Sequence, residues 1–379
     1  MNLIIDANIA QAEQAFSHLG NTRLVDGRTL INKDVKDADI LVVRSITNVN
    51  EELLKNSKIK FVGTATIGKD HIDLDYLKNQ NIQFADAKGC NVDSVAEYVF
   101  IALFKIAFDK NIFLNEKTLG VVGVGSIGSR VFKLAQVLGL NVLKNDPPLE
   151  RKGIGQNYVS LDEVLTADII TFHVPMSFDG IDKTFHLLNQ DNLKRIKKGA
   201  IIINTSRGAV IDNKALLSES NKREFKLVLD VWENEPSINT ELLSNTKVAT
   251  PHIAGYSFEG KVIGTKIIYD ALCNFLNIRP TWRPDLRMIQ NKEMKLAGGK
   301  TDEEKLYKLF SSIYNIEKDD TSLREILKYK PNEQAGYFDR LRKNYPVRRE
   351  FCNFTVLLTK KDRHLKPILE GFRFKVSMI

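Results

Sequence analysis

Three segments of the sequence carry side chains that together could move a proton and a hydride at the carbon beside a carboxylate. Each segment follows an apolar run of strand length, and the side chains are Arg207, Glu235 and His252. A guanidinium holds a carboxylate through two parallel hydrogen bonds. An imidazole exchanges protons near neutral pH, and a neighbouring carboxylate would orient the ring and stabilise its charged form. We therefore predict that Arg207 binds the carboxylate of an acid and that His252 accepts a hydroxyl proton. We predict that Glu235 orients the imidazole and stabilises its charged form.

Each of these residues taken alone also has a structural explanation. A histidine after a proline in a loop more often makes a local hydrogen bond than it catalyses a reaction, and a lone arginine can be structural. What favours catalysis is their placement after successive strands of one parallel sheet. The carboxyl ends of such strands are where the ligands of open α/β sheets collect.

A glycine-rich stretch supplies the second chemical signal. The spacing G-x-G-x-x-G occurs at Gly123, Gly125 and Gly128, between an apolar strand-like run and a helix-compatible run. In that context the first glycine permits a tight turn and the second lets backbone amides approach a pyrophosphate. The third lets the helix pack closely on the sheet. We predict a dinucleotide site.

An acidic residue after the next strand bears on the choice of dinucleotide. Asp146 follows the run 141–144, 23 residues beyond Gly123. At that distance a carboxylate accepts hydrogen bonds from ribose hydroxyls and repels a 2′-phosphate, which favours NAD over NADP. The alternative is a surface turn residue before Pro147 and Pro148.

The elements that must position these residues alternate between apolar runs and helix-like segments. Continuous Val and Ile runs are typical of strands buried on both faces, and their alternation with helices predicts a parallel, doubly wound α/β sheet. The predicted strands are 119–124, 141–144, 168–174, 200–204, 226–231 and 247–249, with helices at 127–138 and 161–165.

Two further regions flank this sheet. A smaller series of strand-like runs, at 3–5, 40–43, 60–63 and 82–84, predicts an α/β domain at the N-terminus. Past Trp282, charged helical segments at 302–313 and 322–327 precede a strand-like run at 351–358, which predicts an α+β domain. The apolar stretch 99–108 is too short for a membrane span and carries Lys105, so we predict a buried helix.

Composition bounds the partners and the compartment. Residues 283–379 hold 22 Lys and Arg against 14 Asp and Glu, which accounts for the whole net charge of +8. These charges are mixed with apolar residues, so we expect a solvated face of a folded domain rather than a nucleic-acid site. Three scattered cysteines and no secretory pattern predict a cytoplasmic protein without a membrane partner. Six histidines without ligand spacing predict no metal.

Four motifs together resemble the D-isomer-specific 2-hydroxyacid dehydrogenase family. They are Gly-Val-Val-Gly-Val-Gly-Ser-Ile-Gly, Asn-Thr-Ser-Arg-Gly, Asp-Val-Trp-Glu-Asn-Glu-Pro and Thr-Pro-His-Ile-Ala-Gly, and they occur in the family's order. The resemblance implies that Arg207, Glu235 and His252 are the catalytic set. It also implies NAD contacts at Gly123, Gly125, Ser126, Ile127, Gly128, Asp146, Val174, Ser206, Arg207, Asp230 and Gly255.

The resemblance further implies how the chain is divided. An NAD-binding domain, 94–256, is inserted into a smaller α/β substrate domain built from 1–93 and 257–285, and the site lies in a hinged cleft. The basic extension 286–379 is similar to a dimerisation domain that shorter relatives lack, which implies a homodimer.

Finer motifs, among them Val-Arg-Ser-Ile-Thr and Gly-Thr-Ala-Thr-Ile-Gly, resemble a branch of the family that oxidises a phosphorylated sugar acid. That branch implies substrate contacts by Ser45, Thr66 and Tyr256. Arg44 and Lys69 are candidates for holding the phosphate.

Two alternatives stay open from the sequence. One is another member of the family, acting on glycerate, lactate or 3-phosphoglycerate. The other, less favoured, is an NAD-sensing regulator that binds nucleic acid through its basic C-terminal region. The retention of all three catalytic residues argues against a regulator, since a sensor needs no proton acceptor.

Overall fold

The computed structural model describes residues 1–286 and 293–379 of the 379-residue chain. The chain divides into two compact units. The first comprises Met1–Asn91 and Ser257–Met288, and the second comprises Val92–Tyr256 and Ile289–Ile379. Residues 287–292 lie outside the described residues. The boundary between Met288 of the first unit and Ile289 of the second unit falls within this range.

The described residues contain fourteen strands in three sheets, and every pairing described between these strands is parallel. In chain order the strands are β1 (Asn2–Asp6), β2 (Asn21–Val25), β3 (Ile40–Val43), β4 (Phe61–Thr64), β5 (Gln83–Asp86), β6 (Thr118–Val122), β7 (Asn141–Asn145), β8 (Ile169–Phe172), β9 (Ile201–Asn204), β10 (Lys226–Leu229), β11 (Val248–Ala249), β12 (Glu293–Lys295), β13 (Thr355–Leu358) and β14 (Lys375–Met378).

The described α-helices are mostly short and connect the strands. In chain order they are α1 (Ala12–Phe16), α2 (Asn32–Val35), α3 (Glu51–Leu54), α4 (Leu74–Asn79), α5 (Val92–Lys110), α6 (Ser126–Val137), α7 (Pro147–Arg151), α8 (Leu161–Val164), α9 (Gln190–Leu193), α10 (Asn213–Arg223), α11 (Thr240–Asn245), α12 (Phe258–Phe275), α13 (Asp302–Ile313), α14 (Ile316–Arg324), α15 (Pro331–Lys343) and α16 (Lys366–Gly371). Within residues 1–286 and 293–379, no helix combines the length and apolar character that crossing a membrane requires.

The first unit is built on a five-stranded sheet with the order β2-β1-β3-β4-β5. The whole of β3 is buried, which explains its unbroken apolar sequence. The α/β prediction for the N-terminus is confirmed. The sequence did not predict β2, because this edge strand has no buried residue and therefore lacks an apolar run.

The second unit holds a six-stranded sheet with the order β11-β10-β9-β8-β6-β7. The chain starts at β6, adds β7 at the edge on one side, and then crosses to add β8 to β11 on the other side. The predicted doubly wound sheet is confirmed, and its strands begin and end within two residues of the predicted limits. Burial of β8 and β9 on both faces accounts for their runs of Ile.

Helix α5 of the second unit is buried along most of its length, which confirms the buried helix predicted at 99–108 and extends it. Part of its surface packs on the C-terminal segment. The ring centroids of Phe104 and Phe310 lie 5.3 Å apart, and those of Phe100 and Phe372 also lie 5.3 Å apart. One continuous hydrophobic core therefore contains residues of α5, of the six-stranded sheet and of the C-terminal segment.

The C-terminal segment adds helices and a three-stranded sheet with the order β12-β13-β14. The predicted additional domain of helices and strands is confirmed, and helix α13 has the predicted limits. The strand predicted at 351–358 begins later, at Thr355, because Phe351–Asn353 form a 3₁₀ turn that buries Phe351.

Candidate active site

The glycine-rich turn joins β6 to helix α6 with the predicted backbone geometry. Gly123 has a φ of 85°, a conformation that residues with side chains rarely adopt. A Cβ on Gly128 would overlap the carbonyl oxygen of Gly123, whereas a Cβ on Gly125 would meet no described atom within 4 Å. Ser126 and Ile127 are the first residues of α6. The turn therefore leaves space beside a helix N-terminus, which fits the pyrophosphate of a dinucleotide.

Asp146 lies at the end of β7 and is buried, so it is not a surface turn residue. One carboxylate oxygen accepts a hydrogen bond from the amide of Val124 at 2.7 Å, and the other accepts from the amide of Leu149 at 3.0 Å. The first bond ties the carboxylate to the glycine-rich turn. Each oxygen has a further lone pair, so the group fits a ribose.

Two flanking residues complete this side of the sheet. A Cβ on Gly123 would lie 2.8 Å from Val174 and from the carbonyl oxygen of His173, which shows how closely the end of β8 approaches the turn. The His173 ring lies 2.9 Å from the hydroxyl of Thr171. Desolvation lowers the pKa of His173 to about 3, so the ring is neutral at physiological pH. No role was predicted for His173 from the sequence, and the only signal that could have identified it is its position directly after a strand.

The catalytic candidates follow three adjacent strands of the second unit. The register pairs Asn204 with Leu229 and Leu229 with Ala249, so β9, β10 and β11 end level with one another. Arg207 and His252 each come three residues after these ends. The sheet therefore brings the predicted segments to one edge.

The loop after β9 is fixed against the loop after β10. A Cβ on Gly208 would overlap the backbone of Trp232, so the two loops are in direct contact. The side chain of Asn204 accepts hydrogen bonds from the amide and the hydroxyl of Ser206 and donates to the carbonyl of Arg207 at 2.9 Å. Nη1 of Arg207 donates to the Ser206 carbonyl at 2.7 Å. The backbone that carries Arg207 is thus held on the segment that carries Glu235.

His252 and Glu235 form a direct pair. Nδ1 of His252 lies 2.7 Å from Oε2 of Glu235, and Oε1 accepts a hydrogen bond from the amide of Trp232 at 2.8 Å. The backbone of His252 has a φ of 57°, and its amide donates to the carbonyl of Asp230. Because the carboxylate accepts from Nδ1, Nε2 carries a lone pair that can accept a proton.

The electrostatics of Glu235 suit this role. Burial raises the pKa of its carboxyl, but the charge and hydrogen bond of His252 outweigh burial, and Arg342 and the Trp232 amide add to the effect. The pKa therefore lies below its ordinary value. Glu235 is ionised at neutral pH and stabilises positive charge on the imidazole.

Asp230 is buried beneath the loop that carries His252. Oδ1 accepts hydrogen bonds from the hydroxyl of Thr250 at 2.6 Å and from the amide of Ile253 at 2.7 Å, and Oδ2 accepts from the amide of Ala254 at 2.9 Å. Burial raises the pKa of Asp230, although His252 and these bonds act in the opposite direction. Asp230 holds the catalytic loop in place. Its predicted cofactor contact, and that of Gly255 in the following turn, stay predictions.

The predicted substrate residues fall in both units. Ser45 and Thr66 lie in the first unit, each two residues past the paired ends of β3 and β4. Ser45 is exposed, and the hydroxyl of Thr66 lies 2.8 Å from that of Thr64. Tyr256 lies in the second unit, four residues after His252. The structure brings the first two hydroxyls to one sheet edge, and their contact with substrate stays a prediction.

The C-terminal segment contributes residues that the sequence did not identify. Arg348 is buried and donates hydrogen bonds to the carbonyls of Ile253 and Ala254, and its guanidinium lies 4.4 Å from the ring centroid of Tyr314. The expectation that the basic excess lies on a solvated face is wrong for Arg348. These two acceptors lie 95 and 94 residues earlier in the chain, so no local sequence pattern identifies Arg348. Arg342, which is partly buried and donates a hydrogen bond to the hydroxyl of Tyr256, is a second residue that the sequence did not identify.

In the part of the chain that the structure describes, one group of side chains has metal-ligand geometry. His186, Asp212 and Glu233 place their ligand atoms within 4.8 Å of one another. His186 Nε2 lies 2.6 Å from Glu233, which also accepts from the amide of Asn213 at 2.9 Å. These hydrogen bonds join the segment that carries Glu233 to His186 and Asn213. The predicted absence of a metal stays a prediction.

A dinucleotide-binding sheet whose carboxyl edge carries an arginine and a histidine–glutamate pair defines an NAD-dependent oxidoreductase of the D-2-hydroxyacid type. Residues 107–254 match the family described as D-isomer specific 2-hydroxyacid dehydrogenase, NAD binding domain, and residues 286–368 match a domain of unknown function. A D-lactate dehydrogenase from Aquifex aeolicus, solved with NAD and lactic acid, has 28% identity and a TM-score of 0.61 over 73% of this chain and 96% of its own.

Relatives that match along nearly the whole chain define the branch. The erythronate-4-phosphate dehydrogenase of Proteus mirabilis is 43% identical over 94% of this chain and 95% of its own. That of Salinibacter ruber is 41% identical over 100% of this chain and 99% of its own. The chain belongs to the erythronate-4-phosphate dehydrogenase family.

Proposed function

We propose that the protein oxidises 4-phospho-D-erythronate at C2 to 3-hydroxy-2-oxo-4-phosphooxybutanoate, in the biosynthesis of pyridoxal 5′-phosphate (vitamin B6). The observation that carries the proposal is the 2.7 Å contact between Nδ1 of His252 and Glu235, on a loop level with the one that bears Arg207. The full-length similarity to relatives named for this substrate supports the choice of acid.

Each of the three catalytic residues has a separate role in the proposed reaction. Arg207 holds the C1 carboxylate of the substrate by two parallel hydrogen bonds. Nε2 of His252 takes the proton of the C2 hydroxyl as the C2–H bond breaks, and the ring becomes positively charged. Glu235 stabilises that charge and keeps Nδ1 protonated, so the imidazole presents the correct nitrogen.

Bound NAD supplies the acceptor for the C2 hydride. The residues proposed to hold it are the glycine turn with Ser126 and Ile127, then Asp146 at the ribose, and Val174, Ser206, Arg207, Asp230 and Gly255 along the strand ends. Exclusion of water around the reacting carbon would protect the reaction from competing proton exchange.

An NAD-linked assay with 4-phospho-D-erythronate, supplemented with a 2-oxo acid to reoxidise any NADH that stays bound, tests the proposal. His252→Ala and Arg207→Ala should each lower kcat by about 10³-fold, and His252→Ala should do so without loss of NAD affinity. His364→Ala, at an exposed histidine, is the matched control and should keep wild-type turnover. Near-normal turnover of a folded His252→Ala or Arg207→Ala protein would remove that residue from the mechanism.

The alternatives are separated by two measurements. Equal or faster turnover of glycerate, lactate or 3-phosphoglycerate would assign the protein to another member of the class. Salt-dependent binding of DNA or RNA would indicate a nucleic-acid-binding regulator, whereas we propose no nucleic-acid partner.

We also propose a cytoplasmic homodimer, in which 1–93 and 257–285 form the substrate domain, 94–256 the NAD-binding domain and 286–379 the dimerisation domain. Exposed apolar side chains in the last segment support an interface there: Leu327, Tyr329, Val347 and Ile379. Light scattering should give twice the chain mass of 43.0 kDa, and Val347→Glu should shift it toward the monomer. A wild-type monomer at micromolar concentration would contradict this proposal.

A further inference from the structure

The last turn of helix α15 places an arginine on the catalytic loop of the second unit. Nη2 of Arg342 donates a hydrogen bond to the hydroxyl of Tyr256 at 3.2 Å, and its Cζ lies 5.8 Å from the centroid of the same ring. The ring of Tyr345 packs edge-on against Tyr256, with centroids 5.8 Å apart. Tyr256 is four residues after His252, and the charge of Arg342 lowers the pKa of Glu235, so the C-terminal segment lies near the reacting groups.

The guanidinium of Arg342 has no direct salt-bridge partner in the part of the chain that the structure describes. Its Nε is buried without a hydrogen-bond acceptor. Burial lowers the pKa of Arg342, but Tyr256 and Glu235 raise it by a larger amount. The pKa therefore lies above its ordinary value, and the guanidinium stays charged. A half-buried cation with unused donors lowers its free energy when an anion binds it.

The substrate of the proposed reaction has two anionic groups, a carboxylate and a phosphate. The cationic residues predicted from the sequence do not provide a well-placed partner for the phosphate. Arg207 is assigned to the carboxylate. Arg44, a candidate for the phosphate from sequence, lies 3.1 Å from the buried carboxylate of Asp6, which already balances its charge. Lys69 is exposed and gives up more side-chain entropy when it is ordered.

We propose that Arg342, together with the hydroxyl of Tyr256, binds the phosphate of the substrate and so makes the C-terminal segment a determinant of specificity for phosphorylated sugar acids. The inference rests on the proposed function, because it assumes a substrate with a terminal phosphate. A guanidinium suits this task because its planar N–H donors match two phosphate oxygens at once. Arg342 acts by direct contact on substrate binding, and it affects proton transfer only through its contribution to the lowered pKa of Glu235.

The test compares two acids that differ only in the phosphate. Calorimetry measures the affinities of 4-phospho-D-erythronate and D-erythronate for the NADH-loaded protein, a complex in which no hydride can move. Arg342→Met should weaken binding of the phosphorylated acid by about 30-fold and leave that of erythronate nearly unchanged. Arg342→Lys keeps the positive charge but loses the planar pair of N–H donors. It should weaken binding of the phosphorylated acid by a smaller factor than Arg342→Met.

Arg340→Met is the matched control, since Arg340 lies on the same helix but is exposed and stacks on Tyr329 and Tyr337. It should bind both acids like the wild type. Equal weakening of both acids by Arg342→Met would overturn the proposal in favour of a positioning role, and unchanged binding of both would remove Arg342 from the site.

A failure of the proposed function gives a different result. If the wild type binds neither acid, inorganic phosphate serves as the probe of the anion site. Weaker phosphate binding by Arg342→Met and Arg342→Lys than by Arg340→Met would then support the site without the reaction. If Arg342→Met does not fold, the Lys variant alone decides: wild-type affinity for the phosphorylated acid would overturn the requirement for a guanidinium.

Discussion

The hydroxyl of Tyr98 lies 2.6 Å from the hydroxyl of Thr250, and both are buried. Thr250 donates in turn to Asp230, which accepts from the amides that follow His252. A chain of hydrogen bonds thus runs from helix α5 through Thr250 to the catalytic loop. Buried polar chains of this kind are costly to break, because each partner left behind lacks water.

Thr250→Val should therefore lower the free energy of unfolding by about 2 kcal/mol, since it leaves Tyr98 and Asp230 each with one bond fewer. It should also lower kcat, because the His252 loop loses support. Urea denaturation and the NAD-linked assay measure the two effects. Thr246→Val serves as the control because its hydroxyl bonds only within its own helix end. Equal effects of the two substitutions would show that the chain does not stabilise the loop.

Glu235→Gln should lower kcat by about 100-fold while it preserves the shape of the site. The lowered pKa of Glu235 means that the wild-type carboxylate is ionised throughout the neutral range, so the loss should be present at every pH above the ordinary carboxyl range. A pH profile of kcat is the measurement. Glu233→Gln, two residues away but bonded to His186, should cost far less. Wild-type kcat in Glu235→Gln would exclude the carboxylate from catalysis.

The two helix-side glycines should respond differently to alanine. Gly128→Ala places a Cβ on the carbonyl of Gly123 and should lower the free energy of unfolding by about 3 kcal/mol. Gly125→Ala meets no described atom within 4 Å and should leave stability unchanged, yet weaken NAD binding by about 10-fold because the methyl occupies pyrophosphate space. Thermal melts and NADH fluorescence separate the effects. Unchanged NADH affinity in Gly125→Ala would place the pyrophosphate elsewhere.

His173 should make stability depend on pH. Its folded-state pKa of about 3 lies below the ordinary value of 6.5, so the unfolded chain binds the proton first as pH falls. Stability is therefore complete above about pH 6.5 and declines between there and pH 3. Between pH 7 and 5.5 the wild type should lose about 1 kcal/mol more than His173→Asn. Denaturant titrations at both pH values measure this. His18→Asn, at an exposed histidine, should behave like the wild type.

Much of the site was predictable because its signals are local. The turn requires a glycine at positions 123 and 128, which lie within six residues of each other. The spacing of the two glycines is therefore visible in the sequence. Arg207 and His252 were found because they follow apolar strands, and parallel strands place their carboxyl ends on one edge. The strand limits were off by up to two residues because the last residues of each run continue into the loops.

What the sequence could not show depends on contacts between distant residues. Arg348 bonds to carbonyls more than 90 residues earlier, and nothing in its neighbourhood distinguishes it from the exposed arginines nearby. Asp230 was assigned to the cofactor by resemblance, whereas its hydrogen bonds to the His252 loop come from the fold. Strand β2 was missed because an exposed edge strand needs no apolar run.

The shared core of helix α5 and the C-terminal segment limits how such an extension could be lost or gained. Helix α5 presents aromatic rings to the C-terminal segment within one hydrophobic core. In this protein Phe100 and Phe104 would face water without Phe310 and Phe372. Truncation at residue 286 would produce an aggregating fragment rather than a smaller enzyme. The C-terminal segment is therefore a structural part of the second unit as well as a carrier of Arg342 and Arg348.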